Sequence, residues 1–156
     1  DFDGWRKAAR ALALNDVKPP DVSWRVAGDA PELFEPTAPP LDPPSGTFNV
    51  AAKFVELAEV AILHRNPERF ALLYRLLWRL RQHHDLIDIA TDPDVAEVTA
   101  MAKAVRRDEH KMHAFVRFRE IGREHKSHFV AWFEPEHHIV ELAAPFFARR
   151  FADIFA

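Results

Sequence analysis

The 156-residue chain contains no cysteine. That excludes disulfides, thiolate zinc sites and cysteine-held iron–sulfur clusters within it. It also suits a reducing compartment, so a cytoplasmic location is expected. Glycine is scarce: Gly4, Gly28, Gly46 and Gly122 are the only four. No G-x-x-x-x-G-K or G-x-G-x-x-G run can be built from them, which removes the standard phosphate-cradling loops. Ser23, Ser45 and Ser127 sit in no G-x-S-x-G elbow, and there is no H-E-x-x-H. No apolar run approaches the roughly 18 residues of a membrane span, so no membrane partner is expected. Charge of one sign is also lacking, with a net value of −3. Bulk electrostatics therefore announce no polyanion binder. The chain opens at Asp1 without an initiator Met and stops inside a helical pattern, so it is expected to be part of a longer protein.

Apolar residues make up 48% of the chain, enough for a packed core. Residues 1–156 are expected to form one domain by length. The charges are unevenly spread. Residues 1–48 carry eight Asp or Glu against five Lys or Arg. Residues 101–126 reverse this, with Lys103, Arg106, Arg107, Lys111, Arg117, Arg119, Arg123 and Lys126 against four acids. A local field of one sign matters even on a nearly neutral molecule.

"DFDGWRKAARALAL" places Phe2, Trp5, Ala9 and Leu12 at helical spacing, with Asp1 or Asp3 as cap. "DVSWRVAG" reads as a short strand. Residues 29–48 form a proline-rich connector, because each proline fixes φ and removes a donor. "NVAAKFVELAEVAILH" reads as a helix capped by Asn49. Asn66-Pro67-Glu68 restarts a helix, "PERFALLYRLLWRLRQHH", that is apolar round most of its circumference and belongs at the centre of the fold. Only Glu68, Arg75, Arg79 and Gln82 give it a polar strip. Thr91-Asp92-Pro93 caps a further helix with Val95, Val98, Ala102, Val105 and Met112 on its apolar side. Lys103, Arg107 and Lys111 follow at i, i+4 and i+8 on another side.

The period then changes. "AFVRFREI" and "SHFVAWFE" alternate and read as a β-hairpin, with Phe115, Arg117 and Arg119 on one face of its first strand. "HHIVE" is a possible third strand, and "APFFARRFADIFA" starts another helix with Pro145 near its first turn. The expected fold class is α+β: about five helices packed with a small antiparallel hairpin or three-stranded sheet.

Nine histidines raise the question of a metal. His110/His113 and His125/His128 are spaced by three, and His83-His84 and His137-His138 are adjacent. A convincing site needs three or four supported ligands, which the spacing does not supply, so neither a metal nor a cofactor is expected. The carboxylate pairs Asp108-Glu109 and Asp85/Asp88 read as solvated helix ends.

Three runs carry a resemblance: "FVELAEVAILHRNPERFALLYRLLWRL", "TDPDVAEVTAMAKAVRRDEHKMHAFVRFRE" and "HFVAWFEPEHHIVELAAPFFARRFADIF". With the opening "FDGWRKAARALAL" and "PPDVSWRV", the chain resembles a bacterial family of unknown function linked to DNA metabolism. The resemblance implies DNA repair or modification. It further implies partnership with a radical S-adenosylmethionine protein, or fusion ahead of a family-four-type uracil-DNA glycosylase. The family pattern runs past Ala156, and no glycosylase domain is in this chain, so no excision activity is assigned to it.

Three functional readings follow. The first is an accessory DNA-binding domain using Lys103, Arg106, Arg107, Lys111, Arg117 and Arg119 against phosphates, with exposed aromatic rings stacking on unpaired bases. Its bland counterpart is a solvated stripe, with Arg117 and Arg119 paired to Glu120, Glu124 or Glu134. The second is a protein-interaction module that positions a repair enzyme. The third is an enzyme acting on a modified base, with His110 and His113 as acid–base candidates.

Overall fold

A computed structural model describes residues 1–26, 28, 40–43, 45–122 and 128–152. Helix α1 spans Phe2–Leu14, α2 Ala52–Ala61, α3 Arg69–Gln82, α4 Pro93–Phe115 and α5 Val140–Phe151. Strands β1 (Arg119–Ile121) and β2 (His128–Val130) form an antiparallel pair in the register Arg119↔Val130, Glu120↔Phe129, Ile121↔His128. The fold is α+β, with five helices and a two-stranded sheet among the described residues, as the sequence predicts.

Local chemistry explains most of these boundaries. Asp1 caps α1 by accepting the Gly4 N–H. Asp92 caps α4 by accepting the Asp94 and Val95 N–H groups, and Pro93 sits at the first position, where its missing donor costs nothing. Along α4 the residues Val95, Val98, Met101, Ala102 and Val105 are buried. They pack with α2 and with the central helix α3, where Leu72, Leu73, Tyr74, Leu76, Leu77 and Leu80 are buried. Trp5, Ala9 and Ala13 bring α1 onto the same core, and the Trp5 indole N–H donates to the Phe70 carbonyl.

Several expectations are corrected. Asn49 does not cap α2, which starts at Ala52 from Ala51 without a side-chain cap. Asn66 acts one turn early: its side chain accepts the Glu68 N–H, and α3 begins only at Arg69. No strand forms over residues 22–26; a 3-10 turn at Pro19–Asp21 leads into extended chain. Helix α4 runs on to Phe115, because the Val116 N–H still finds the Met112 carbonyl, so the first hairpin strand shrinks to Arg119–Ile121. "HHIVE" is not a strand. The His138 N–H bonds the Leu63 carbonyl, and α5 already begins at Val140, which places Pro145 inside it. Of the proline-rich connector, residues 29–39 and 44 lie outside the described residues. Of the rest, Asp42 and Gly46 accept from Asn15 and Arg10 of α1, and Phe48 packs on the core.

Candidate nucleic-acid interface

Helix α4 turns about 100° per residue, so position decides facing. Its buried residues Val98, Val105 and Asp108 define one side. Lys103, Arg106, Arg107 and His110 fall opposite, all exposed. Together they line a shallow depression of about 470 Å³ on the helix surface. None of the four has a carboxylate within ion-pair distance among the described residues. Lys111 lies at the edge of this ridge, 3.9 Å from Glu136, with both side chains more than half exposed. Contact at that distance in water is worth little.

The ridge is costly to the isolated helix. Lys103 and Arg107, and Arg107 and Lys111, are like charges at i, i+4, each pair unfavourable by roughly 0.2–0.5 kcal/mol. The contrast with α3 is direct. Arg75 grips Asp94 through two bonds of 3.1 and 2.7 Å, and Arg79 bridges Asp92 and Asp94 at 2.6–3.0 Å. These guanidiniums hold the Asp94 and Asp92 carboxyls below their usual range. The α3 cations are thus committed to the α3–α4 junction, while the α4 cations are left uncommitted.

The remaining two predicted cations do not join the ridge. Arg117 folds back on the C-terminus of α4, its Nη1 donating to the Ala114 and Val116 carbonyls. That is a charge placed at the negative end of the helix dipole. Arg119 lies on the outer face of the sheet with Ile121, His128 and Val130, all exposed. Among the described residues neither lies within ion-pair distance of Glu134, and Glu124 lies outside the described residues, as do Arg123, His125 and Lys126. The sharing of one strand face by Phe115, Arg117 and Arg119 fails because residues 115–118 are helix end and connector.

His110 and His113 also diverge. His110 belongs to the ridge. His113 stacks on Phe146, ring centroids 4.0 Å apart, and its Nε2 is buried without a hydrogen-bond partner. Glu109 is 3.8 Å away, too far for a hydrogen bond. Beside His113 is a second cavity of about 460 Å³, shared by Arg117, Phe118, Phe147 and Arg150. A further cavity, about 790 Å³, is lined mainly by α1 and residues 21–26, with Leu41 and Phe70, and includes none of the predicted site residues.

Sequence reasoning missed one polar cluster. Asp108 is not a solvated helix end: it is buried, and its Oδ2 accepts the His137 N–H at 2.8 Å. His137 is itself buried, and its ring lies 4.2 Å from that of His64. His137 Nδ1 accepts the Arg65 N–H and His64 Nδ1 accepts the Asn66 N–H. The Nδ1 lone pair of each ring is thus engaged by a backbone donor. Burial, aided by the neighbouring His137, Arg65 and Arg69, pushes the His64 pKa down. Among the described residues, no three His, Asp or Glu side chains gather to hold a metal ion. The signal that could have found Asp108 is its position: it follows Val98, Met101 and Val105 along the buried side of α4.

A family model matches residues 67–155, from the start of α3 through α5, more than half of the chain. The chain belongs to the family DUF4130, a domain of unknown function. The matched DUF4130 region contains the whole α4 ridge, the Asp108–His137 link and the His113 cavity. No curated protein and no solved structure matches the chain.

Proposed function

We propose that this DUF4130 domain is an accessory DNA-binding domain in bacterial DNA repair or modification. One observation carries the reading: Lys103, Arg106 and Arg107 stand on one exposed face with no carboxylate in reach among the described residues. A cationic ridge that weakens its own helix is accounted for by an anionic partner. Phosphates would displace counterions there and give affinity with little sequence choice. The context of repair, with a uracil-DNA glycosylase or radical S-adenosylmethionine partner, rests on the family resemblance described above. Catalysis by His110 and His113 finds little support, since the two rings occupy different surroundings.

The test is binding to a short DNA duplex across a salt series. Three or four phosphate contacts give a log–log slope of about −3 to −4. Replacing Lys103, Arg106 and Arg107 with Ala should flatten that slope by about three units. No detectable affinity at low salt would end the reading.

A second reading, docking of a partner enzyme, is favoured by a separate observation. Trp132 is 84% exposed, with Ile121 and Val130 also exposed on the adjoining hairpin. Capture of the glycosylase or radical enzyme, lost on Trp132→Ala, would support it.

A further inference from the structure

We infer that the cavity at the C-terminal end of α4 takes an unpaired base of a nucleic-acid strand whose phosphates follow the α4 ridge. This rests on the DNA-binding reading and adds the class of ligand to it. Ala114, which lines this cavity, lies one turn beyond His110 on the same side of α4, and His110 lines the ridge depression. The basic track therefore leads axially into the cavity.

Its chemistry suits a base. About 460 Å³ falls within the range of small-molecule pockets, roughly 300–1,000 Å³, and holds one heterocycle. Phe118, Phe147 and Phe151 supply phenyl walls, with Phe118 edge-on to both of the others at 5.5 and 4.9 Å. Aromatic faces accept any base, since every base has a π-face. Arg117 and Arg150 line the same cavity. Among the described residues Arg117 donates only through Nη1, which leaves the rest of its fork for a phosphate or a base edge. His113 adds an imidazole to the cavity wall.

The experiment uses the intact chain and two single-stranded DNA oligonucleotides of equal length, one of thymidines and one of abasic residues, followed by fluorescence anisotropy at low salt. Phosphates are the same in both. The thymidine strand is expected to bind about 5- to 150-fold more tightly, the effect of stacking one base. Phe118→Leu, which keeps apolar bulk but loses the ring, should reduce that ratio towards one and leave abasic affinity unchanged. Phe151→Leu serves if Phe118→Leu fails to fold by circular dichroism. Equal binding of the two strands overturns this inference and leaves the ridge reading standing. A ratio unmoved by the ring variants shows that the base sits elsewhere and also overturns it. Binding of neither strand removes both.

Discussion

Asp108 offers a sharp test of how the fold is held. It is 5% exposed and its carboxylate accepts the His137 N–H across 29 residues of sequence. That bond ties the start of the last helix to the side of α4. Replacing Asp108 with Ala removes the acceptor and strands a backbone donor in a buried place. A hydrogen bond to a charged group contributes about 1.5–3 kcal/mol. For a domain of this size, each kcal/mol shifts the melting temperature by about 2–4 °C, so Asp108→Ala should melt about 3–12 °C lower. Asp108→Asn keeps a side-chain carbonyl and should lose less than the Ala variant. Thermal unfolding followed by circular dichroism reads both. A solvated carboxylate of the kind suggested by its sequence context would give less than about 0.5 kcal/mol. If Asp108→Ala falls within that margin, the buried link carries no weight and the account of how α5 is anchored is wrong.

Leu73 is fully buried at the centre of α3, and Leu73→Ala should cost about 2–5 kcal/mol in urea unfolding; a near-zero effect would misplace the core. Stability should also depend on pH through His64. Its folded pKa lies below the ordinary value of 6.5, so the unfolded chain binds more protons below that pH, and stability falls as pH drops from there towards the folded value. Asp92 and Asp94 act further down. Their folded values lie below 3.8, so their contribution is complete above that pH and is lost as acid titrates the folded carboxyls. Melting temperatures from about pH 3 to 8 would resolve two limbs, and His64→Gln should flatten the upper one. A flat profile between about pH 5 and 7 in the parent chain would contradict the His64 geometry.

Much of the fold was legible because local chemistry and burial agree. The Asp1 and Asp92 caps, the apolar side of α4 and the central place of α3 follow from residue type and a period of 3.6. The alternation of "SHFVAWFE" was right about faces even where it was wrong about the ladder. Residues 128–134 alternate exposed and half-buried, although pairing stops at Val130. The ladder stops there because residues 115–118 are not available as a strand. Helix propagation through Met112 to Phe115 competes with strand pairing, and the sequence carries both periods at that point.

The site was less legible than the fold. Spacing alone put Lys103, Arg107 and Lys111 on one side of a helix and away from Val105, and the coordinates agree. Whether those charges are neutralised is a different question, because partners come from elements distant in sequence. Arg75 and Arg79 look like the same kind of polar strip on α3, yet they meet Asp92 and Asp94, while among the described residues the α4 cations meet only Glu136, at a distance. Arg117 and Arg119 left the stripe because the helix ended between them and it.

The sequence by itself determined which stretches are helical, where α1 and α4 begin and which side of α4 is charged, since capping and periodicity act within a few residues. Only the tertiary structure decided that Asp108 is buried, that two imidazoles share one site and that Phe147 and Phe151 of α5 close a cavity at the C-terminal end of α4. Each of these depends on groups 29 to 73 residues apart being brought within hydrogen-bonding or ring-contact distance, and packing sets such distances while spacing along the chain does not.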